Sequence, residues 1–318
     1  MEQQFEEMQK AKKRFWRIFL PLLVYLGVRF LANGIAETVV LTLNIDKVID
    51  IKTVLGMTMR QQMDYLAEFS SNATNIAKMA KIFIENSTLI STIVAVLIFP
   101  VGLVFYLIDK KKKQASQVPV IHREPAWKYP LMLALGMALC IGLNVILIMC
   151  DQAFLDGATS QALSATYTAP LLLQIIGVGI IVPISEEFFY RSVLYNRYRE
   201  ESSWMRAGVY SAILFALAHG SMIQMLFAMI LGLVLAYSYE KFGSLLAPVI
   251  VHITVNMTSV LLTNVSGFDW LLAKPLRACI VTAVCTFIGM TVIMYLRNLN
   301  GREYPEVEGK QNREKSDN

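Results

Sequence analysis

Long apolar runs, separated by short polar stretches, dominate the chain. A helix needs about 20 mostly apolar residues to cross the hydrocarbon core of a bilayer, and most of these runs approach or exceed that length. The eight runs are approximately Trp16–Val40, Thr88–Ile108, Tyr129–Cys150, Ala169–Tyr190, Met205–His219, Met222–Tyr239, Leu245–Leu262 and Leu276–Leu296. The pattern therefore predicts an all-α polytopic membrane protein with about eight transmembrane helices, in a single transmembrane domain over residues 16–297.

Three polar or mixed segments flank these runs. Residues 1–15 carry clustered acidic and basic side chains, which predicts an amphipathic head, and residues 298–318 form a polar tail. The segment between the first two runs repeats apolar residues at near-helical spacing, which is typical of amphipathic helices lying on a membrane or over a bundle. Those residues are Val48, Ile49, Val54, Met63, Leu66, Phe69, Ile76, Met79, Ile82 and Phe83.

Composition and charge agree with a membrane protein and indicate its orientation. Hydrophobic residues make up 55% of the 318 residues and charged residues only 17%, whereas soluble domains are about 25% charged. The block Lys110–Lys113 lies in a short loop, and such clusters favour the cytoplasmic side. With eight spans, both termini are then cytoplasmic. The net charge of +5 is concentrated at span ends, so we expect the lipid bilayer, and no nucleic acid, as a partner. A bacterial cell membrane is the expected location.

A few ionisable and amide side chains interrupt the apolar runs. The fourth run ends in Glu186 and Glu187, with Arg191 one helical turn further. His219 closes the fifth run, and His252 lies in the seventh with Asn256 one turn later. The first run carries Arg29 and Glu37. A charged residue at membrane depth is costly, so each marks a candidate functional position.

Counting residues from the expected cytoplasmic boundary places the candidate groups at similar depth. From boundaries near Tyr198, Met205 and Gly243, the three groups Glu186, His219 and His252 lie roughly 13–21 Å into the membrane if every segment is helical. We therefore expect them to form one site.

Spacing within each motif suggests how the residues divide their roles. Glu187 precedes Arg191 by four residues, the order that favours an ion pair on a helix, and this leaves Glu186 free on another face. His252 and Asn256 share one face, and Phe215 lies one turn before His219. These features favour a catalytic or ion-conducting site. Structural hydrogen bonding between helices remains the alternative.

The same residues resemble the CAAX-protease and bacteriocin-processing family, also called CPBP or Abi, whose members are intramembrane endopeptidases related to the type II CAAX prenyl protease. The family pattern is E-E-x-x-x-R, F-x-x-x-H and H-x-x-x-N. This chain carries Glu186-Glu187 with Arg191, Phe215 with His219, and His252 with Asn256, in that order. The resemblance covers about residues 169–262, which would be the catalytic core.

The resemblance implies glutamate-dependent hydrolysis of a peptide bond in a membrane-associated or prenylated substrate. Glu186 with His219 would activate a water, and His252 with Asn256 would stabilise the oxyanion. Glu187, Arg191 and Phe215 would support the site. No cofactor is expected, although metalloprotease is an older family label and zinc is possible. A zinc ion would take Glu186, His219 and His252 as ligands.

Two other functions remain open at this stage. Some relatives are known mainly as bacteriocin-immunity or scaffolding proteins, so the chain could keep the motifs without catalysis. Alternatively, Glu186 and the two histidines could move protons in a proton-coupled transporter. Glu186-dependent cleavage of a membrane peptide separates the enzyme from the first alternative, and pH-coupled substrate flux identifies the second.

Overall fold

The first half of the chain contains a long N-terminal helix and a helical segment that leads to a second long helix. The computed structural model describes residues 2–116, 120–154 and 168–303, so most of the polar tail, residues 304–318, lies outside the described residues. The helices of this half are α1 Glu2–Leu43, α2 Ile51–Leu55, α3 Met59–Ser71, α4 Ala73–Glu85, α5 Ser87–Ser116 and α6 Pro130–Phe154, with 3-10 turns at Ile45–Lys47 and Ala126–Lys128.

The second half holds all three sequence motifs. Its helices are α7 Leu171–Arg199, α8 Trp204–Leu217, α9 Met222–Phe242, α10 Leu246–Asn264, α11 Gly267–Leu272 and α12 Pro275–Arg297. Within α7, the segments Gln174–Ile181 and Tyr190–Tyr195 are π-helical. Two short strands, β1 Val120–Ile121 and β2 Arg302–Glu303, pair antiparallel. Apart from these two strands of two residues each, the regular structure is helical, and the all-α prediction is confirmed for the described part of the chain.

Seven described helices are long and apolar enough to cross a membrane: α1, α5, α6, α7, α9, α10 and α12. These helices confirm a multi-pass integral membrane protein. The fifth predicted span corresponds to α8, which has only 14 residues. A 14-residue helix is about 21 Å long, shorter than the hydrocarbon core of about 30 Å. The count of eight spans and the orientation of the termini remain predictions.

The amphipathic segment between the first two long helices is helical, as predicted. Asp50 caps α2, and its Oδ2 accepts a hydrogen bond of 2.6 Å from the Thr53 hydroxyl. This bond, together with the backbone N–H groups of Thr53 and Lys52, lowers the pKa of Asp50. The apolar faces of α3 and α4 line one cleft together with the end of α1. From α3 and α4, the lining residues include Leu66, Phe69, Ile76, Met79 and Phe83.

The structure differs from the sequence expectation at the end of the fourth span. The predicted run stops at Tyr190, but α7 continues to Arg199. Arg197 and Arg199, which lie beyond the end of the predicted run, are buried. Arg197 donates from Nε to Asp109 Oδ2 at 2.7 Å, and Arg199 donates from Nε to Glu240 Oε1 at 2.9 Å. Arginine can be buried here because each guanidinium has a carboxylate partner.

Close helix contacts position the segments that carry the motifs. At Gly136 of α6, a Cβ would lie 2.8 Å from the carbonyl oxygen of Val251, one residue before His252. At the end of α9, Gly243 has a φ of +63°, a conformation that glycine adopts without the strain a Cβ causes. These two glycines allow α6 to approach α10 and allow the chain to turn from α9 into α10.

The predicted topology can be tested with single cysteines in a background where the four native cysteines are serine. We expect Lys111→Cys and Ser316→Cys to resist an impermeant thiol reagent on intact cells, because the lysine block favours the cytoplasmic side. We expect Glu68→Cys, in the exposed part of α3, to react. Reaction of Ser316→Cys from outside would contradict the eight-span orientation.

Candidate active site

Glu187 and Arg191 form the ion pair that their spacing predicts. Arg191 Nε lies 3.1 Å from Glu187 Oε2, and both side chains are completely buried. Arg191 Nη1 also donates to the Ser211 hydroxyl of α8 at 3.3 Å, and the guanidinium lies over the Phe215 ring. Glu187 is therefore held by a fixed cation inside the bundle.

His252 lies between the two glutamates. Its Nδ1 is 2.9 Å from Glu187 Oε1, and its Nε2 is 3.7 Å from Glu186 Oε2. A carboxylate only accepts hydrogen bonds, so His252 Nδ1 carries the hydrogen and donates to Glu187. Both oxygens of Glu187 are then occupied, one by His252 and one by Arg191. Glu186 keeps 12% of its side chain exposed, so it is the carboxylate that can meet a water.

His219 stands apart from Glu186, contrary to the expected pairing. Helix α8 ends at Leu217, so His219 lies in the turn before α9 and not inside a helix. Its Nδ1 is 2.9 Å from the Phe215 carbonyl oxygen, and Nδ1 therefore donates. Among the described residues, Glu186 has His252, and not His219, at ion-pair distance. The depth count assumed a continuous helix through His219, and that assumption is wrong.

Asn256 donates from Nδ2 to the carbonyl oxygen of Val178 at 2.9 Å. The π-helical hydrogen bonds of α7 explain why this carbonyl is available. Val182 N–H bonds to Gly177 O, five residues earlier, so the next donor in the same pattern would be the nitrogen of Pro183, which has no hydrogen. Asn256 supplies the missing donor. Its second amide hydrogen is left for another acceptor.

One cavity collects the motif residues despite these differences. It has a volume of about 380 Å³ and is lined by Glu186, Phe215, His219, His252 and Asn256, together with residues of α1, α5 and α6. These five residues therefore line one cavity between helices. The buried Glu187–Arg191 pair lies behind its wall and orients His252.

The residues that a zinc ion would take, Glu186, His219 and His252, do not form a metal-binding group among the described residues. Within the described residues, no cluster of three or more His, Cys, Asp or Glu side chains has the arrangement of a metal site. His219 and His252 each use Nδ1 in a hydrogen bond, which leaves Nε2 as the remaining nitrogen of each ring, and His219 does not lie at ion-pair distance from Glu186. We therefore derive no step through a metal.

The sequence reasoning missed two residues that shape the site. Pro183 leaves the Val178 carbonyl without a helical donor, and Ser211 accepts from Arg191. The Pro183 signal was present, because a proline three residues before a helical Glu-Glu pair disturbs the hydrogen bonds preceding it. Ser211 carried no comparable signal.

The role of Pro183 predicts a non-additive effect on stability. We expect Asn256→Leu to lower the free energy of unfolding by about 1–3 kcal/mol, because a partly buried carbonyl loses its donor. In a Pro183→Ala background the new N–H can serve Val178, so the same substitution should cost less. Denaturation of the four variants in micelles measures this coupling. Equal costs in both backgrounds would contradict the explanation.

Comparison with known proteins identifies the same part of the chain. Residues 168–258 match the family model described as type II CAAX prenyl endopeptidase Rce1-like. The chain is 26% identical over 98 residues to "Putative membrane peptidase YdiL" of Bacillus subtilis, covering 31% of this chain and 39% of that protein. It is 35% identical over 89 residues to "UPF0177 protein YxdF" of Lactococcus lactis, covering 28% of this chain and 49% of that protein.

These matches span less than half the length of each relative. No solved structure matches the chain significantly. The resemblance to the CAAX-protease family is confirmed over residues 168–258, which contain every motif residue from Glu186 to Asn256. Both relatives are bacterial proteins, in agreement with the expected bacterial membrane.

Proposed function

We propose that the chain is an intramembrane endopeptidase that hydrolyses a peptide bond of a membrane-associated or prenylated substrate. One observation carries the proposal. A mostly buried carboxylate, Glu186, faces a cavity beside an imidazole that a second, fully buried carboxylate holds in place. This arrangement supplies a base and fixed hydrogen-bond donors in an apolar setting, which peptide hydrolysis requires.

In the proposed reaction, Glu186 takes a proton from a water, and the resulting hydroxide attacks the peptide carbonyl carbon. The carbonyl oxygen becomes an oxyanion, which His252 Nε2 and the second hydrogen of Asn256 Nδ2 stabilise. The C–N bond then breaks, and the leaving nitrogen receives the proton that Glu186 took. His219, whose Nδ1 donates to Phe215, presents Nε2 as an additional proton acceptor at the cavity.

The fixed orientation of His252 supports its role as an oxyanion donor. Glu187 accepts from Nδ1, so Nε2 points away from Glu187 and toward Glu186. With a hydrogen already on Nδ1, Nε2 donates only in the imidazolium form, and the proposed role requires that form. Donors that are already oriented need no reorganisation when charge develops, and each can contribute about 3–4 kcal/mol to the transition state. Arg191 contributes indirectly, since its ion pair holds Glu187 in position.

Cleavage by the purified chain in proteoliposomes tests the proposal against the alternatives. With a pool of acylated and prenylated peptides, we expect new peptide termini by mass spectrometry, and we expect cleavage to survive exhaustive chelation. A pool that stays intact would favour a non-catalytic membrane protein. Activity that disappears on chelation and returns with stoichiometric zinc would instead make Glu186, His219 and His252 metal ligands.

A further inference from the structure

Arg29 of α1 lines the same cavity as Glu186, His219 and His252, but the proposed reaction gives it no role. It lies outside residues 168–258, the part of the chain that matches the family model. An arginine in the middle of an apolar helix is costly unless it pairs or serves a function.

The surrounding contacts direct Arg29 toward the cavity. One turn earlier, the buried Tyr25 ring stacks on Phe189 of α7 with a centroid distance of 3.7 Å, and Phe189 is only two residues beyond Glu187. Arg29 then donates from Nη1 to the Tyr25 hydroxyl at 3.4 Å and from Nη2 to the Ala218 carbonyl at 3.3 Å. Ala218 precedes His219 in the turn between α8 and α9.

The charge of Arg29 lacks the kind of partner that other buried arginines have. In α7, Arg191, Arg197 and Arg199 each form an ion pair with a carboxylate. The hydrogen-bond partners of Arg29 are a phenol and a carbonyl, both neutral. Glu186 interacts with its charge across the cavity, but within residues 2–116, 120–154 and 168–303 no carboxylate lies at ion-pair distance from it. A guanidinium has five N–H donors, so these two long hydrogen bonds leave donors for a further acceptor.

We propose that Arg29 binds a carboxylate of the peptide substrate, either the free carboxylate at the chain terminus or an acidic side chain near the scissile bond. The planar guanidinium matches a carboxylate in two parallel hydrogen bonds. Without a cation, Glu186 in the same cavity would repel an anionic substrate. The inference rests on the proposed function, because it assigns the substrate of the same site.

A binding experiment tests this assignment without requiring hydrolysis. The Glu186→Gln protein in micelles is titrated with three forms of one probe, the dansylated apolar hexapeptide Ala-Leu-Val-Phe-Ile-Met. The first form has a free terminal carboxylate, the second is the amide, and the third is an amide with Glu replacing Val. The same titrations are made after adding Arg29→Gln, Arg29→Lys or, as a matched control, Arg60→Gln, which removes an exposed arginine of α3.

We expect one of the two anionic probes to bind about 10- to 100-fold more tightly than the neutral amide. This is the gain in affinity that a charge-assisted hydrogen-bonded pair provides. Tighter binding of the free acid identifies the chain terminus, and tighter binding of the Glu probe identifies a side chain. Arg29→Gln should remove this preference and leave binding of the neutral amide unchanged. Arg29→Lys should restore it in part, and Arg60→Gln should preserve it.

Three results would overturn the assignment. The first is no preference for either anionic probe, including no binding of any probe. The second is an equal loss for anionic and neutral probes in Arg29→Gln, which would make Arg29 a structural contact between α1 and the Ala218 turn. The third is a preference that survives Arg29→Gln. Failure of the wild-type protein to cleave peptides is a separate result and would count against the proposed function.

Discussion

Glu186→Gln is expected to lower peptide cleavage by about 10²–10⁴-fold, the range attributed to a general base. Glutamine has the shape of glutamate but cannot accept a proton from water. Glu187→Gln should lower cleavage less, because Glu187 has both oxygens occupied by His252 and Arg191 and acts by positioning His252. The measurement is kcat and kcat/KM for purified variants that insert and accumulate equally.

The paired glutamates provide their own matched control. They are adjacent in sequence and carry the same chemical group, yet one side chain faces the cavity and the other is fully buried. If Glu187→Gln were inactive while Glu186→Gln kept near-normal activity, the two roles would have to be exchanged.

Arg191→Met is expected to destabilise the folded protein by about 3–5 kcal/mol, since it leaves a fully buried carboxylate without its cation. Arg191→Lys should destabilise less, because it keeps the charge but loses the planar fork. The double variant Glu187→Gln/Arg191→Met should recover part of the stability, because no ionised group is then left unpaired. The free energy of unfolding in mixed micelles measures all three.

The prediction for Arg191 depends on burial and not on the reaction. Neither Arg191 nor Glu187 has exposed side-chain surface. A loss below about 1 kcal/mol for Arg191→Met would match an exposed ion pair and would contradict the buried arrangement. The same conclusion would follow if the double variant were no more stable than Arg191→Met alone.

Local spacing predicted the two contacts between residues four positions apart. Glu187 and Arg191 form an ion pair at 3.1 Å, and the rings of Phe215 and His219 meet edge to face at 4.9 Å although His219 lies just beyond α8. Hydropathy likewise predicted seven of the long helices, because a membrane span requires a long apolar run.

Predictions that depended on helix continuity were less successful. His219 lies beyond the end of α8, where Gly220 follows and Ser221 caps α9 by accepting from Gln224 N–H. The partner of Glu186 is therefore His252. Counting residues along assumed helices places both histidines at similar depth, so the count could not show which of them lies beside Glu186. The π-helical segments of α7 also change the register around Glu186, and no periodicity in the sequence indicated them.

Burial of polar groups at the end of α7 was also beyond sequence reasoning. Arg197 and Arg199 resemble loop residues because charges follow an apolar run, but their partners Asp109 and Glu240 are distant in sequence. Only the packing of α5 and α9 against α7 brings these carboxylates within reach. A single sequence contains the residues of such pairs but not their pairing.

Cleavage in water enriched with oxygen-18 tests the central claim most directly. A membrane-associated peptide is incubated with the wild-type chain or with Glu186→Gln in proteoliposomes, and the products are examined by mass spectrometry. The account predicts that the wild-type product carries one heavy oxygen in its new carboxylate and that Glu186→Gln forms almost no product. Equal amounts of labelled product from both proteins would contradict the account. So would a peptide that stays intact with the wild-type chain.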